Sequence, residues 1–247
     1  MSKLRVLLVR HGESEANLNQ EIGKRKADHA VELTDSGQEQ AKACGKFLAE
    51  YLVTCGEGNC LDAVRLWHSP YRRTRQTAAR IMETARLPYQ VNLVASGFDS
   101  HLNHTREAGE SIFWDKREHD GLHEQLFGVF DGLSDEERAE LYPTEWAHYQ
   151  KCKKFEGKVW ARHPGGESRM DVALRLHSGF FGTVQRDFEK HKVNTIVVVA
   201  HGTVNRAFTQ QWCHLGWEFL EKEPNPNNCS VRLLEDGKDQ GYIFDGY

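Results

Sequence analysis

Long apolar runs are missing from the 247 residues, and none comes near the ~20 residues that a membrane-spanning helix requires. The opening MSKLRVLLVRHGE is basic and then apolar, but its apolar part is too short for the core of a secretory signal, so it reads as a first strand. A basic excess is also absent: 32 Lys and Arg face 36 Asp and Glu, a net charge of −4. That balance gives no electrostatic case for nucleic acid or an anionic membrane as the main partner. Cysteine is sparse and scattered, six residues in a chain large enough to bury a core without covalent staples. Cys55 and Cys60 bracket the loop GEGN at a spacing that would permit a local disulfide, but free thiols in a reducing cytosol are the expectation, and with them a cytoplasmic protein. No internal repeat or linker divides the chain, which is expected to form one domain over residues 1–247. Nothing in it chooses between a monomer and a dimer.

Short apolar runs alternate with segments of helical period. Leu4 to Val9, Ala63 to Trp67, Val91 to Val94 and Thr195 to Ala200 read as strands, and Val231 to Leu234 and Tyr242 to Phe244 as a closing pair turned at Asp236-Gly237. Helices are expected over Leu33 to Leu52, started by a Ser36/Glu39 capping box, and over Thr74 to Leu87. Ser134 to Trp146 is amphipathic with a break at Pro143; Glu167 to His191 reads as one long helix with Met170, Ala173, Leu176, Phe180, Val184 and Phe188 inward; Thr203 to His214 follows the TIVVVA strand. Glu21 to His29 reads as a polar loop able to wall a site, and Pro164-Gly165-Gly166 as a tight turn. Residues 96–123 are rich in charge and histidine without sustained period, and are expected to form an insertion over the site. The fold class is therefore α/β: a three-layer α/β/α sandwich around a mostly parallel central sheet.

Three strand ends carry similar chemistry. The first delivers Arg10, His11 and Gly12, with Ser14 and Asn17 just beyond; the second delivers Ser69, Arg72 and Arg73; the last delivers His201 and Gly202. In parallel α/β architecture such ends converge on one sheet edge, where ligands bind. Two or three cations, two histidines and helix N-termini suit a dianion such as a phosphoryl group.

Taken in order, VRHGESEAN, SPYRRTRQTA, LHEQLFGVFDGL, HPGGES and VVVAHG resemble the histidine phosphatase superfamily, whose best-known branch is the cofactor-dependent phosphoglycerate mutases. The resemblance covers almost the whole chain and implies a phosphoglycerate mutase-like fold. It implies that His11 is the nucleophile that becomes phosphorylated and that Arg10 and His201 hold phosphoryl oxygens. The family's arginine four residues after the serine selects Arg73 over Arg72, which would lie beside the pocket as a helper. Glu124 matches the acid that protonates the leaving oxygen, and Asn17 a further phosphate contact; Ser14 and the Gly202 amide are added as candidate substrate donors. The implied partner is a small phosphorylated substrate, with no metal or other cofactor. Thr74 departs from the family's usual alanine.

Catalytic residues alone do not separate mutase from phosphatase, since both pass through phosphohistidine. The flanks favour the phosphatase branch: Ala16 stands where mutases carry tryptophan, their substrate-gripping arginine segment and G-V-P stretch are missing, and HPGGES and PNNCSVRLL look phosphatase-like. The expectation is a phosphomonoesterase; a phosphoglycerate mutase and a non-catalytic binder of phosphorylated ligands are the alternatives. Glu107, Glu110 and Glu118 are spare candidates for the acid. His101 with His104 and His119 with His123 have spacings a metal could use, but no third ligand commits either pair, so they read as surface residues. Glu167 reads as a complement to a helix dipole, and Trp114, Trp146 and Trp160 as packing residues.

Overall fold

A computed structural model describes residues 4–54, 63–93, 104–113 and 115–247. Strand β1, Arg5–Arg10, is buried along nearly its whole length, as an unbroken Val-Leu-Leu-Val run requires of a strand covered on both faces. Helices α1 (Glu15–Leu18) and α2 (Ile22–Arg25) follow, then a 3-10 turn at Asp28–Ala30, so the expected loop from Glu21 to His29 is largely wound. Helix α3 spans Asp35–Thr54. Thr34 starts it rather than Ser36: its Oγ1 accepts from the Gly37 amide at 2.9 Å. Strand β2 (Val64–His68) leads into helix α4 (Arg72–Thr84).

Strands β3 (Val91–Leu93) and β4 (His104–Arg106) form an antiparallel ribbon, while β5 (Asp115–Glu118) joins the main sheet beside β2. Residues 115–118 are thus a sheet element inside the stretch expected as an insertion. Asp-Lys-Arg-Glu carries no apolar alternation to read, and a solvated edge strand needs none. The Cys55–Cys60 pair, His101 and Trp114 lie outside the described residues.

Helix α5 (Asp135–Leu141) ends where Pro143 opens α6 (Pro143–Trp160), which runs far past the expected end. Proline at the first helical position lacks an amide that would be unpaired anyway. Trp146 packs on Phe130 and Tyr149 as expected, whereas Trp160 is 45% exposed. The expected helix from Glu167 to His191 is two helices, α7 (Arg169–Arg175) and α8 (Phe181–His191), separated by a π-turn over Leu176–Phe180. Ala173, Leu176, Phe180 and Val184 face the core, with Met170 packed at its margin; near the end the buried residue is Asp187, and Phe188 is only half-buried. Apolar periodicity cannot report a carboxylate buried by pairing, and Asp187 is paired with Arg65.

Strand β6 (Thr195–Ala200) is wholly buried, followed by α9 (Gly202–Trp212), an unanticipated short α10 (Glu218–Lys222), and the hairpin of β7 (Val231–Glu235) and β8 (Lys238–Phe244). Asp236 and Gly237 turn that hairpin with φ of 49° and 73°. The sheet order is β5-β2-β6-β1-β7-β8, with β5, β2, β6 and β1 parallel and the last two strands antiparallel.

Alternate side chains of the central strands divide between two cores. Leu7, Val9, Leu66, Val197 and Val199 pack against α3 and α4. Val6, Leu8, Trp67, Ile196 and Val198 pack against α7, α8, α9 and α10. The result is the expected α/β/α sandwich. Among the described residues no helix is long and apolar enough to cross a membrane.

Candidate active site

Strands β1 and β6 pair in register with Arg10 opposite Ala200, so the next residue of each, His11 and His201, meet at the carboxyl edge. The His11 amide donates to Ala200 O at 3.0 Å, and the two rings make an edge contact with centroids 5.3 Å apart. Strand β2 lies on the other side of β6. Its Ser69 amide donates to Val199 O at 3.1 Å, and Ser69 Oγ lies 2.8 Å from His201 Nε2. The three strand ends converge.

His11 is 4% exposed, and its Nδ1–H donates to Gly12 O at 2.8 Å, which leaves Nε2 as the lone-pair nitrogen. Burial, then the Arg73 and Arg10 charges, hold its pKa well below the ordinary imidazole value. The same causes, burial first and Arg73 next, depress His201. His201 is therefore a neutral hydrogen-bonding group here rather than a cation, and its buried Nδ1 has no partner among the described residues. Gly12 serves a close approach rather than a special turn: a Cβ there would lie 2.5 Å from Gly37 O, so helix α3 can press against the strand end only without one.

Arg10 donates through Nη1 to Pro226 O at 2.6 Å, while its Nε is buried without a partner among the described residues. Arg73 is 5% exposed and grips Asp28, with Nη1 at 2.8 Å from Oδ1 and Nη2 at 3.2 Å from Oδ2; it also lies over the Tyr71 ring. Arg72 points elsewhere. Its side chain is 60% exposed and pairs with Glu32 at 2.5 Å, so the structure does not bring it into the cluster. The Thr74 hydroxyl, buried, donates to Ser69 O at 2.9 Å and Tyr71 O at 2.7 Å, tying the turn that precedes α4.

Ser14 and Asn17 engage each other. The Ser14 amide and hydroxyl both donate to Asn17 Oδ1 at 3.0 Å, so the serine closes the first turn of α1 rather than offering its hydroxyl proton to a ligand. Asn17 is exposed beside Asn228, whose Nδ2 also donates to His11 O at 2.9 Å. Gly202 opens α9, and a Cβ there would meet Asn225 Oδ1 at 1.9 Å.

Glu124 sits on an irregular loop, and burial raises its pKa above the usual carboxylate value against an opposing bond from the Gln125 amide. Sequence reasoning missed what holds this loop. Arg175 donates through Nη2 to His123 O at 2.7 Å and Glu124 O at 3.3 Å, and through Nη1 to Gly121 O. Its Nε donates to Glu167 Oε1 at 2.9 Å, while Glu167 Oε2 accepts from the Leu126 amide at 3.0 Å. Glu167 is thus an anchor of the acid loop rather than a partner for a helix dipole; α7 is capped by Ser168 instead. Only the neighbouring HPGGES motif hinted at this contact.

Of the spare acids, Glu118 pairs with Arg75 at 2.6 Å and lies 3.8 Å from His68 rather than against His11 or His201, Glu110 pairs with Arg106 at 3.3 Å, and Glu107 is exposed. His119 is wedged between Trp67 and Phe180, and His123 stacks on Tyr71, so neither is a free surface residue. Among the described residues no cluster of three or more His, Cys, Asp or Glu suits a metal ion.

A buried imidazole that feels two guanidinium charges, with a carboxyl of raised pKa in the same neighbourhood, suits an anionic ligand. A sequence profile of the histidine phosphatase superfamily (branch 1) matches residues 6–93 and 98–244, and the chain belongs to that family. It is 30% identical over 249 residues to the phosphoglycerate mutase-like protein AT74H of Arabidopsis thaliana, covering 97% of this chain and 76% of the relative. It is 25% identical to the broad-range acid phosphatase DET1 of Saccharomyces cerevisiae, covering 93% and 84%. A mycobacterial glucosyl-3-phosphoglycerate phosphatase shares the fold with a TM-score of 0.65 at 21% identity, covering 99% of this chain and 100% of that one.

Proposed function

We propose that the protein is a phosphomonoesterase that works through a phosphohistidine on His11. The observation that carries this reading is the Nδ1–H bond from His11 to Gly12 O, which leaves Nε2 with its lone pair in a ring that burial keeps neutral. In the first step Nε2 attacks phosphorus, the N–P bond forms, and the ester P–O bond breaks. Glu124 gives its proton to the departing alkoxide, a role its raised pKa favours. In the second step water attacks phosphorus, the N–P bond breaks, and Glu124 carboxylate takes the water's proton.

Arg10 and Arg73 stabilise the three equatorial oxygens, and such a preorganised donor is typically worth ~3 kcal/mol, on the order of 100-fold in rate. His201 adds a hydrogen bond. Every one of these roles falls to a side chain of this protein.

The phosphatase relatives and the features of the phosphatase branch support hydrolysis over mutase chemistry. The test is phosphate release from a panel of phosphomonoesters in the presence of chelator, with acid-labile phosphate on the protein trapped by rapid quench. Wild type should turn over and label, and His11→Ala should do neither while keeping its circular dichroism spectrum. Unimpaired turnover by His11→Ala defeats the mechanism. Labelling without net phosphate release, together with interconversion of phosphoglycerates, points to the mutase instead.

A further inference from the structure

The net charge of −4 conceals one strongly basic stretch. Residues 151–162, KCKKFEGKVWAR, hold five cations and a single acid. Arg162 pairs with Asp171, but Lys151, Lys153, Lys154 and Lys158 have no ion-pair partner among the described residues, whereas Lys24, Lys26 and Lys42 each hold a carboxylate. Within the same stretch Phe155 is 75% exposed, the highest value for a large apolar side chain among the described residues, and Trp160 is exposed too. Neither makes a ring contact there, unlike Trp67, Trp146 and Trp212. A lone exposed phenyl ring would need no explanation. Its setting among unpaired lysines is what points to a partner.

Helix α6 holds that ring out on a rigid support. On its inner side Trp146, Tyr149 and Cys152 pack toward Phe130 in a small satellite core. Lys151 and Phe155, four residues apart, lie on the opposite, solvated side, with Lys154 exposed beside them. Gly157, at φ 78°, then interrupts the helix, and the Glu221 carboxylate catches the restarted turn through the Lys158 and Val159 amides at 3.2 and 3.0 Å. Lys158 and Trp160 are left exposed at this end. The face is thus fixed from both sides, by the satellite core and by α10, yet nothing among the described residues covers it.

We propose that this face of α6 docks on an anionic lipid bilayer, with the Phe155 ring entering the headgroup region and Lys151, Lys154 and Lys158 meeting the lipid charges. Cations around a protruding apolar ring are the chemistry of adherence to a bilayer surface, as distinct from spanning it. Lysine ammoniums, compact point charges, suit a diffuse anionic surface, where a fixed phosphate would favour arginine. Lysine is also depleted from protein–protein interfaces. Single-stranded nucleic acid needs a groove that tracks its backbone, and a convex helix face offers none. The docking is independent of whether His11 carries out hydrolysis.

The experiment is co-sedimentation of the full chain with vesicles of phosphatidylcholine alone and of phosphatidylcholine mixed with phosphatidylserine, at about 0.1 M and about 0.5 M salt. Partitioning onto the mixed vesicles at low salt should exceed that onto phosphatidylcholine at least about tenfold, and should collapse at high salt. Lys151→Glu/Lys154→Glu should weaken it on the order of 100-fold, since each cation is worth about fivefold at such a surface and reversal counts twice. Phe155→Ser should weaken it about tenfold. Both variants should keep the circular dichroism spectrum of wild type, and Phe155→Ser carries the test alone if the double variant does not fold. Negligible or equal partitioning on the two vesicle types overturns the inference, as does binding that the variants leave unchanged. Binding of an oligothymidylate in place of vesicles, lost in the same variants, assigns the face to nucleic acid and overturns the lipid reading. So does a wild-type dimer that Phe155→Ser turns into a monomer, which assigns the face to a second copy of the chain.

Discussion

Arg73 and Asp28 form a two-pronged ion pair at the mouth of the histidine cluster, reinforced by a 2.6 Å bond from Arg73 Nη1 to the Asp28 carbonyl. The guanidinium proposed above to hold phosphoryl oxygens is therefore already engaged by a carboxylate from the short turn after α2. An incoming dianion has to compete with Asp28 or draw Arg73 away from it. Asp28→Asn keeps the shape and removes the competing charge, so the inhibition constant for inorganic phosphate should fall about tenfold, a 1.4 kcal/mol effect. A weaker inhibition constant in that variant would show instead that Asp28 aligns Arg73 for its work.

On the proposed mechanism the pH dependence follows from two opposed shifts. His11 must be neutral to attack, and its pKa is depressed, so activity rises as pH climbs through a value below the ordinary imidazole pKa and is then retained. Glu124 must be protonated to assist the leaving group, and its pKa is raised, so activity on alkyl esters falls as pH climbs through that higher value. The optimum should lie on the acid side of neutrality. Glu124→Gln should slow alkyl esters by 100-fold or so and flatten the alkaline limb, while a nitrophenyl ester, which needs no proton, suffers far less. An unchanged alkaline limb would remove Glu124 from the acid role.

Arg175 touches three backbone carbonyls of the acid loop and the Glu167 anchor, but none of the reacting groups. On the proposed mechanism it is a positioning residue. Arg175→Met should cut kcat for alkyl esters about tenfold and displace the alkaline limb of the pH profile, since Glu124 loses its fixed surroundings. A merely structural role would lower melting temperature and leave that limb where it was.

Asp187 is fully buried, with Oδ1 at 2.6 Å from Arg65 Nη1 and Oδ2 at 2.9 Å from Trp67 Nε1. Arg65 meanwhile holds Asp115 of the edge strand at 2.6 Å. Asp187→Ala removes the buried one of these two carboxylates from Arg65 and leaves the Trp67 indole N–H without its acceptor, and should cost roughly 3–5 kcal/mol in urea unfolding. A loss below about 1 kcal/mol would mean that water or Asp115 compensates.

The sequence made the parallel core and the histidine pair legible for a simple reason. TIVVVA and RVLLVR are apolar enough to be central strands, and a residue that follows a central strand lies at the sheet's edge wherever it falls in the chain. Glu124 was singled out through its motif, and burial raises its pKa. What stayed hidden depends on long-range pairing: Arg175 with carbonyls over 50 positions upstream, Asp187 with Arg65, and Asp28 with Arg73. Charged side chains are placed by partners, and no local period announces a partner. Arg72 illustrates the converse. It sits next to Arg73 in sequence, yet one helical step turns it outward to Glu32.

The two margins of the main sheet differ from its interior in kind. Strand β5 reads Asp-Lys-Arg-Glu, and β8 pairs with β7 through register shifts, with Gly241 at φ 80°. Another chain seeking to extend the sheet would meet a row of charges on one side and an irregular ladder on the other. Such margins resist strand-by-strand growth between molecules, the route by which exposed sheets form fibrils. The same four charged residues that hid β5 from sequence reading are of the kind that blunt a sheet edge against such growth.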